Sequence, residues 1–135
     1  MEYKSTKLVL GNGKQISLQL IDTSGQERFR SISFNLLKMN KIDCIVLGYD
    51  ITDKSSFDSL SRWINEIKES NKNIKLIYLI GNKIDLEKFR EVKKEEGEKF
   101  AKEYNLRFFE VSSKTGEGIA EFLNDLKNEI EKYEI

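Results

Sequence analysis

Three short polar groups in this sequence carry residue types that bind or transform ligands: Asp22-Thr23-Ser24-Gly25-Gln26, Asn82-Lys83-Ile84-Asp85 and Ser112-Ser113-Lys114. Asp85 has the most explicit chemistry. A planar carboxylate accepts two parallel hydrogen bonds, so it can read a flat base that presents two adjacent N–H groups and reject one that does not. Each group also has a plainer reading. Asp and Ser cap backbone groups and Gly permits positive φ, so the first could be a polar turn, the second a solvated loop and the third the cap of a following helix. Other chemistries are closed. The chain has no histidine, which removes Ser-His-Asp and Cys-His catalysis and the commonest zinc ligand. Its one cysteine, Cys44, lies in the apolar run Cys44-Ile45-Val46-Leu47 and is expected to be a buried thiol, and disulfides within the chain are excluded.

The elements that hold these groups can be read from hydrophobic periodicity. Lys7–Leu10 and Ile16–Leu20 alternate on either side of Gly11-Asn12-Gly13, which predicts a hairpin. Phe29–Met39 is a weak helical segment, and Ile42–Tyr49 is a continuous apolar run of the kind a strand buried on both faces shows. Ser55-Ser56 offers an N-cap to a helix whose stripe is Phe57, Leu60, Ile64 and Ile67, with Trp63 on its flank and an end near Asn71. Ile74–Ile80 reads as a second buried strand, Lys94–Tyr104 as a charged amphipathic helix and Arg107–Val111 as a short strand. In the last helix Ile119, Phe122, Leu123, Leu126 and Ile130 form one stripe opposite a Lys/Glu face. A hairpin followed by strand–helix units predicts an α/β fold with helices on a mostly parallel sheet. All three polar groups then fall at carboxyl ends of strands, where such sheets bind ligands. Their shared placement makes coincidence a poor account of them.

Composition bounds the rest. With 135 residues, 39% hydrophobic and no proline, the chain is expected to be one domain over residues 1–135. Its 23 basic and 23 acidic residues cancel, so no global field draws nucleic acid or an anionic membrane, and no basic-aromatic patch recurs. No leader pattern opens the sequence and no apolar run reaches the ~18 residues of a membrane span, which sets a cytoplasmic expectation.

Together these residues resemble the small GTPases, and their flanks resemble the Rab branch of the Ras superfamily. The carrying segments are Asp22–Ile32, Tyr49-Asp50-Ile51-Thr52-Asp53 followed by Ser56-Phe57, Gly81–Leu86 and Glu110–Lys114. The resemblance implies a vesicle-trafficking type of GTP-binding switch that uses GTP/GDP and Mg²⁺. In its terms Asp22 would hold Mg²⁺ through a water, the Gly25 amide would contact the γ-phosphate and Gln26 would orient the attacking water. Asp85 would select guanine, whose N–H edge adenine cannot supply. Asn82 would bond the base and brace neighbouring loops, the Lys83 stem would lie over the ring, the Ser113 amide would meet the guanine oxygen, Ser112 would brace Asp85 and Lys114 would pack near the base. Ser113 stands where relatives usually have alanine, which a backbone contact tolerates. Glu27–Ile32 would belong to the switch-two segment that meets effector or regulator proteins.

The sequence departs from the family pattern at its start. No G-x-x-x-x-G-K-[ST] occurs, and the one Gly-Lys pair, Gly13-Lys14, is followed by Gln15. The resemblance therefore implies a truncated small-GTPase, P-loop NTPase-like fold, without the first strand and phosphate loop. These residues alone are expected neither to hold the phosphates nor to hydrolyse GTP, and a non-catalytic pseudo-GTPase interaction module is the alternative. Terminal cysteines for prenylation are not in the sequence, so membrane association is expected through partners or sequence outside it. Ile21 replaces an aromatic of the relatives and Asn35–Met39 lacks their tyrosine-rich helix, so effector choice does not carry over. In relatives a further strand separates Ile16–Ile21 from Cys44–Asp50. Here those two either close on each other or stay unpaired.

Overall fold

Strand β4, Leu76–Asn82, is the apolar spine of the fold. Leu76, Tyr78 and Ile80 enter one core and Leu79 the other, so both of its faces need cover. The computed structural model, which describes residues 3–9, 15–21, 44–70 and 74–133, places β4 between two parallel partners. These are β3 (Cys44–Asp50) and β5 (Arg107–Glu110), in the order β3-β4-β5.

Helices α1 (Lys54–Asp58) and α2 (Leu60–Ser70) link β3 to β4, and a 3₁₀ turn, Ile84–Phe89, with α3 (Lys94–Tyr104) links β4 to β5. Both crossovers feed one core, where Leu60, Ile64 and Ile67 of α2 and Ala101 of α3 meet Leu47, Tyr49 and Leu79. Parallel strands added in one direction through connections of one hand put their helices on the same face. Helix α4 (Ile119–Tyr133) covers the other face, with Leu126 and Ile130 against Leu76, Tyr78 and Ile80. A polar clamp fixes it there: the Tyr78 hydroxyl donates to Asp125 Oδ2 at 2.6 Å, and Arg107 forks onto both Asp125 oxygens and onto Glu129. On the first face Gly97 lets α3 come close, since a Cβ there would stand 2.6 Å from both the Tyr49 hydroxyl and the Phe108 ring.

Several details differ from the sequence expectations. The N-cap of α1 is Asp53, whose carboxylate accepts from the Ser55 N–H at 3.0 Å, because Ser56 is drawn away to donate to Asp53 O and to accept from the Asp50 N–H. The single helix expected through Ile67 is broken at Ser59 into α1 and α2. Strand β3 is not buried on both faces. Among the described residues it pairs only with β4, and while Leu47 and Tyr49 are buried, Val46 is 48% exposed. Cys44, at the start of this edge, is half-buried rather than enclosed.

The N-terminal hairpin forms from β1 (Tyr3–Val9) and β2 (Gln15–Ile21), antiparallel, with Tyr3 opposite Ile21 and Val9 opposite Gln15. Among the described residues it is a two-stranded sheet of its own, and β2 does not pair with β3. Its turn and the expected helical segment Phe29–Met39 lie outside the described residues.

Candidate functional site

At the end of β4 the chain turns sharply. Lys83 adopts a left-handed backbone, φ 75° and ψ 35°, which is uncommon for a residue with a β-carbon. The turn carries the chain from Asn82 into Ile84–Phe89 and brings Asp85 beside the loop that follows β5. Backbone bonds continue the β4–β5 pairing past the strands, from Val111 N–H to Gly81 O at 2.8 Å and from Ile84 N–H to Val111 O at 3.2 Å.

Two side-chain bridges then lock the loops together. Ser112 is fully buried; its hydroxyl donates to Asp85 Oδ1 at 2.7 Å and accepts from the Thr115 N–H at 3.0 Å. Asn82 Oδ1 accepts from the Lys83 N–H at 2.8 Å, the Ser113 N–H at 3.0 Å and the Ser113 hydroxyl at 3.3 Å. One oxygen of Asp85 and the amide nitrogen of Asn82 have no hydrogen-bond partner among the described residues, and Asp85 is exposed. The Ser113 amide, by contrast, is engaged by Asn82. Gly116 and Gly118, both with positive φ, close the loop into α4. Lys114 is exposed on the same loop.

Sequence reasoning quoted Asp50 but gave it no task. The structure pairs Asp50 Oδ2 with Lys83 Nζ at 2.7 Å, while Asp50 Oδ1 accepts from the Thr52 N–H at 2.8 Å and the Thr52 hydroxyl at 2.6 Å. Burial works to raise the Asp50 carboxyl, but the bonds from Lys83 and Thr52 outweigh it and hold the group below the usual carboxylate range. The bond to Asp50 raises the Lys83 ammonium in turn. The available signal was position: Asp50 ends β3 in register with Asn82, so the strand-end rule applied to it as well.

The structure thus brings Asn82, Lys83, Asp85, Ser112 and Ser113 together, with Lys114 beside them. Asp22, Gly25 and Gln26, including the residue implied for Mg²⁺, lie outside the described residues. Among the described residues no cluster of acidic or cysteine side chains could hold a metal ion, and no helix is long and apolar enough to cross a membrane.

A sequence profile of the Ras family matches residues 1–132. The chain is 44% identical over 110 residues to the Ras-related protein Rab-26 of Bos taurus, an alignment covering 82% of this chain and 42% of that relative. It is 45% identical over 105 residues to the Rab-26 proteins of Mus musculus and Rattus norvegicus, covering 78% of this chain and 40% of each. The chain spans about two-fifths of the length of these curated relatives. The strand-end loops, the parallel sheet with helices on both faces and the sequence matches agree: this chain belongs to the Ras family, on its Rab-like branch.

Proposed function

We propose that residues 1–135 form one domain carrying the guanine-recognition half of a Rab-like, vesicle-trafficking nucleotide switch that takes GTP and GDP. The observation that carries this is the Asp85 carboxylate, steadied at one oxygen by buried Ser112 and open at the other, next to the Asn82 amide. Guanine offers an adjacent ring N–H and amino group that suit a carboxylate, whereas adenine presents an acceptor and a C–H at that edge and would leave the charge unpaired. The Asn82 amide nitrogen supplies a donor to the ring, and the Lys83 and Lys114 stems supply apolar walls. In the same proposal Asp22, Gly25 and Gln26 serve the phosphate end, Asp22 being the residue for Mg²⁺, which when bound neutralises phosphate charge. Glu27–Ile32 meets effector or regulator proteins, and membranes are reached through partners.

Magnitudes decide how these residues behave by themselves. Two charge-assisted bonds to Asp85 contribute about 3–6 kcal/mol in total, while association costs about 4–15 kcal/mol. The two Asp85 bonds at best offset that cost, so net affinity depends on the Asn82 donor and the lysine stems as well; the chain binds GDP no tighter than about the millimolar range and prefers it to ADP. Amide chemical shifts of Asn82–Leu86 and Ser112–Lys114 during GDP and ADP titrations test this. Asp85→Ala should abolish the GDP response, and Asp85→Asn should shift preference toward a xanthine nucleotide, whose carbonyl an amide can meet. Equal responses to GDP and ADP, or a GDP response that survives Asp85→Ala, would refute the assignment.

A further inference from the structure

We infer that Asp50 is a positioning residue for guanine recognition that acts through Lys83, tying down the far end of the Lys83 side chain so that its stem is held across the base site. The inference rests on the base-site reading proposed above. Asp50 does not itself touch the base, because both of its oxygens are engaged: Oδ1 takes the Thr52 N–H and hydroxyl, and Oδ2 takes Lys83 Nζ at 2.7 Å. Its backbone is held as well, with the Asp50 N–H donating to Ser56 Oγ at 3.0 Å and Ser56 Oγ donating to Asp53 O at 2.7 Å. The acceptor waiting for Lys83 is therefore ordered in advance and only 23% exposed, while the Lys83 side chain is 51% exposed.

That asymmetry separates this pair from an ordinary surface ion pair. Most such pairs gain little because two flexible side chains must both be ordered. Here Thr52, Ser56 and the strand end have already ordered one of them, so only the Lys83 stem loses freedom. The loss is useful at this position. Lys83 sits between Asn82 and Asp85 with a left-handed backbone, and a four-carbon stem fixed at both ends presents a flat apolar edge before any ligand arrives. An unanchored lysine would lose the same rotamer freedom on binding and weaken the complex by that amount.

The test is the amide titration with GDP on the whole chain, applied to Asp50→Asn, Lys83→Met, their combination and Asp50→Glu, with Asp85→Ala as reference. Lys83→Met keeps an unbranched stem and removes the anchor. Each single variant should weaken GDP by about threefold to fivefold, the scale of one partly exposed ion pair. The double variant should bind no more weakly than either single, and Asp50→Glu, which keeps an anionic partner, should recover most of the loss. Losses that multiply in the double variant, an Asp50→Asn protein with unchanged GDP affinity, or no recovery by Asp50→Glu would overturn the role. A wild-type chain with no GDP response, or one insensitive to Asp85→Ala, would instead remove the base-site reading and this role with it.

Discussion

Gly118 and Gly116 allow the coupling between fold and site to be measured. Both have left-handed backbones, φ 79° and 87° respectively, but their surroundings differ. A Cβ on Gly118 would stand 2.4 Å from the Glu110 carbonyl oxygen and 3.2 Å from Val111 Cα, whereas nothing lies within 4 Å of a Cβ on Gly116. A β-carbon in this conformation costs about 1–2 kcal/mol, and that applies to both positions. Only Gly118→Ala adds a collision with backbone, which cannot rotate aside as a side chain can, and overpacking of this kind costs about 1–3 kcal/mol more. Urea denaturation should therefore show losses of about 1–2 kcal/mol for Gly116→Ala and about 2–5 kcal/mol for Gly118→Ala. The site should register the same difference. Relief at Gly118 displaces Val111, whose carbonyl accepts from the Ile84 N–H, and the adjacent Ser112, which holds Asp85. Gly118→Ala should thus weaken GDP binding in the folded protein, while Gly116→Ala changes it little. Equal destabilisation by the two variants, or a Gly118→Ala protein with wild-type GDP affinity, would refute the reasoning.

Asp125 is held below the usual carboxylate range by the Arg107 bond first and the Tyr78 hydroxyl also, against the opposing effect of burial. Its contribution is therefore complete above the unfolded value near 3.8 and is lost as pH falls through the lower folded value, so Asp125→Asn should flatten the acid limb of a pH–stability curve and leave a residual slope from Asp50 and Glu96. Gly97→Ala should lower the urea midpoint by the equivalent of about 1–3 kcal/mol, because its methyl would meet the Phe108 ring and the Tyr49 hydroxyl at 2.6 Å; a neutral result would show that α3 can lift off the sheet freely. Single-turnover assays should find no GTP hydrolysis by these residues alone, since Gln26 can only orient a water and the sequence contains no phosphate-loop motif. Turnover abolished by Gln26→Leu would reveal a phosphate site of another kind.

How far the sequence could be read depended on whether an element's partners were local. Helix α3 was legible to its ends, Lys94 and Tyr104, because its amphipathic stripe is self-contained and Asn105 stops it in a left-handed conformation, φ 59°. The break at Ser59 was not legible, since the stripe of Phe57, Leu60, Ile64 and Ile67 runs through it unchanged. What decides the break is the use of Ser56 by Asp50 and Asp53, a choice made in three dimensions. The exposed face of β3 was hidden for a similar reason: an apolar run records capacity for burial but not which neighbours are present. Asn82, Asp85 and Ser112 were legible as a constellation, yet the engagement of the Ser113 amide by Asn82 Oδ1 was not, because residue type cannot show where a backbone N–H points.

The same contrast explains how a site assembled from separated loops can be rigid. Register places Asp50 opposite Asn82 and Gly81 opposite Glu110, so the carboxyl edge of three parallel strands sets the three loops side by side. The bonds from Ile51 N–H to Asn82 O at 3.1 Å and from Val111 N–H to Gly81 O at 2.8 Å extend that register past the strands themselves. Register is in turn enforced by the two cores. A one-residue slip of β5 along β4 would exchange the faces of Phe108 and Phe109, taking the first from the α2–α3 core and the second from the α4 core. It would also carry Ser112 away from Asp85. The apolar alternation that builds the sheet is therefore also what holds the Asp85 carboxylate in position, and core substitutions that loosen β5 should lower discrimination between guanine and adenine before they unfold the chain.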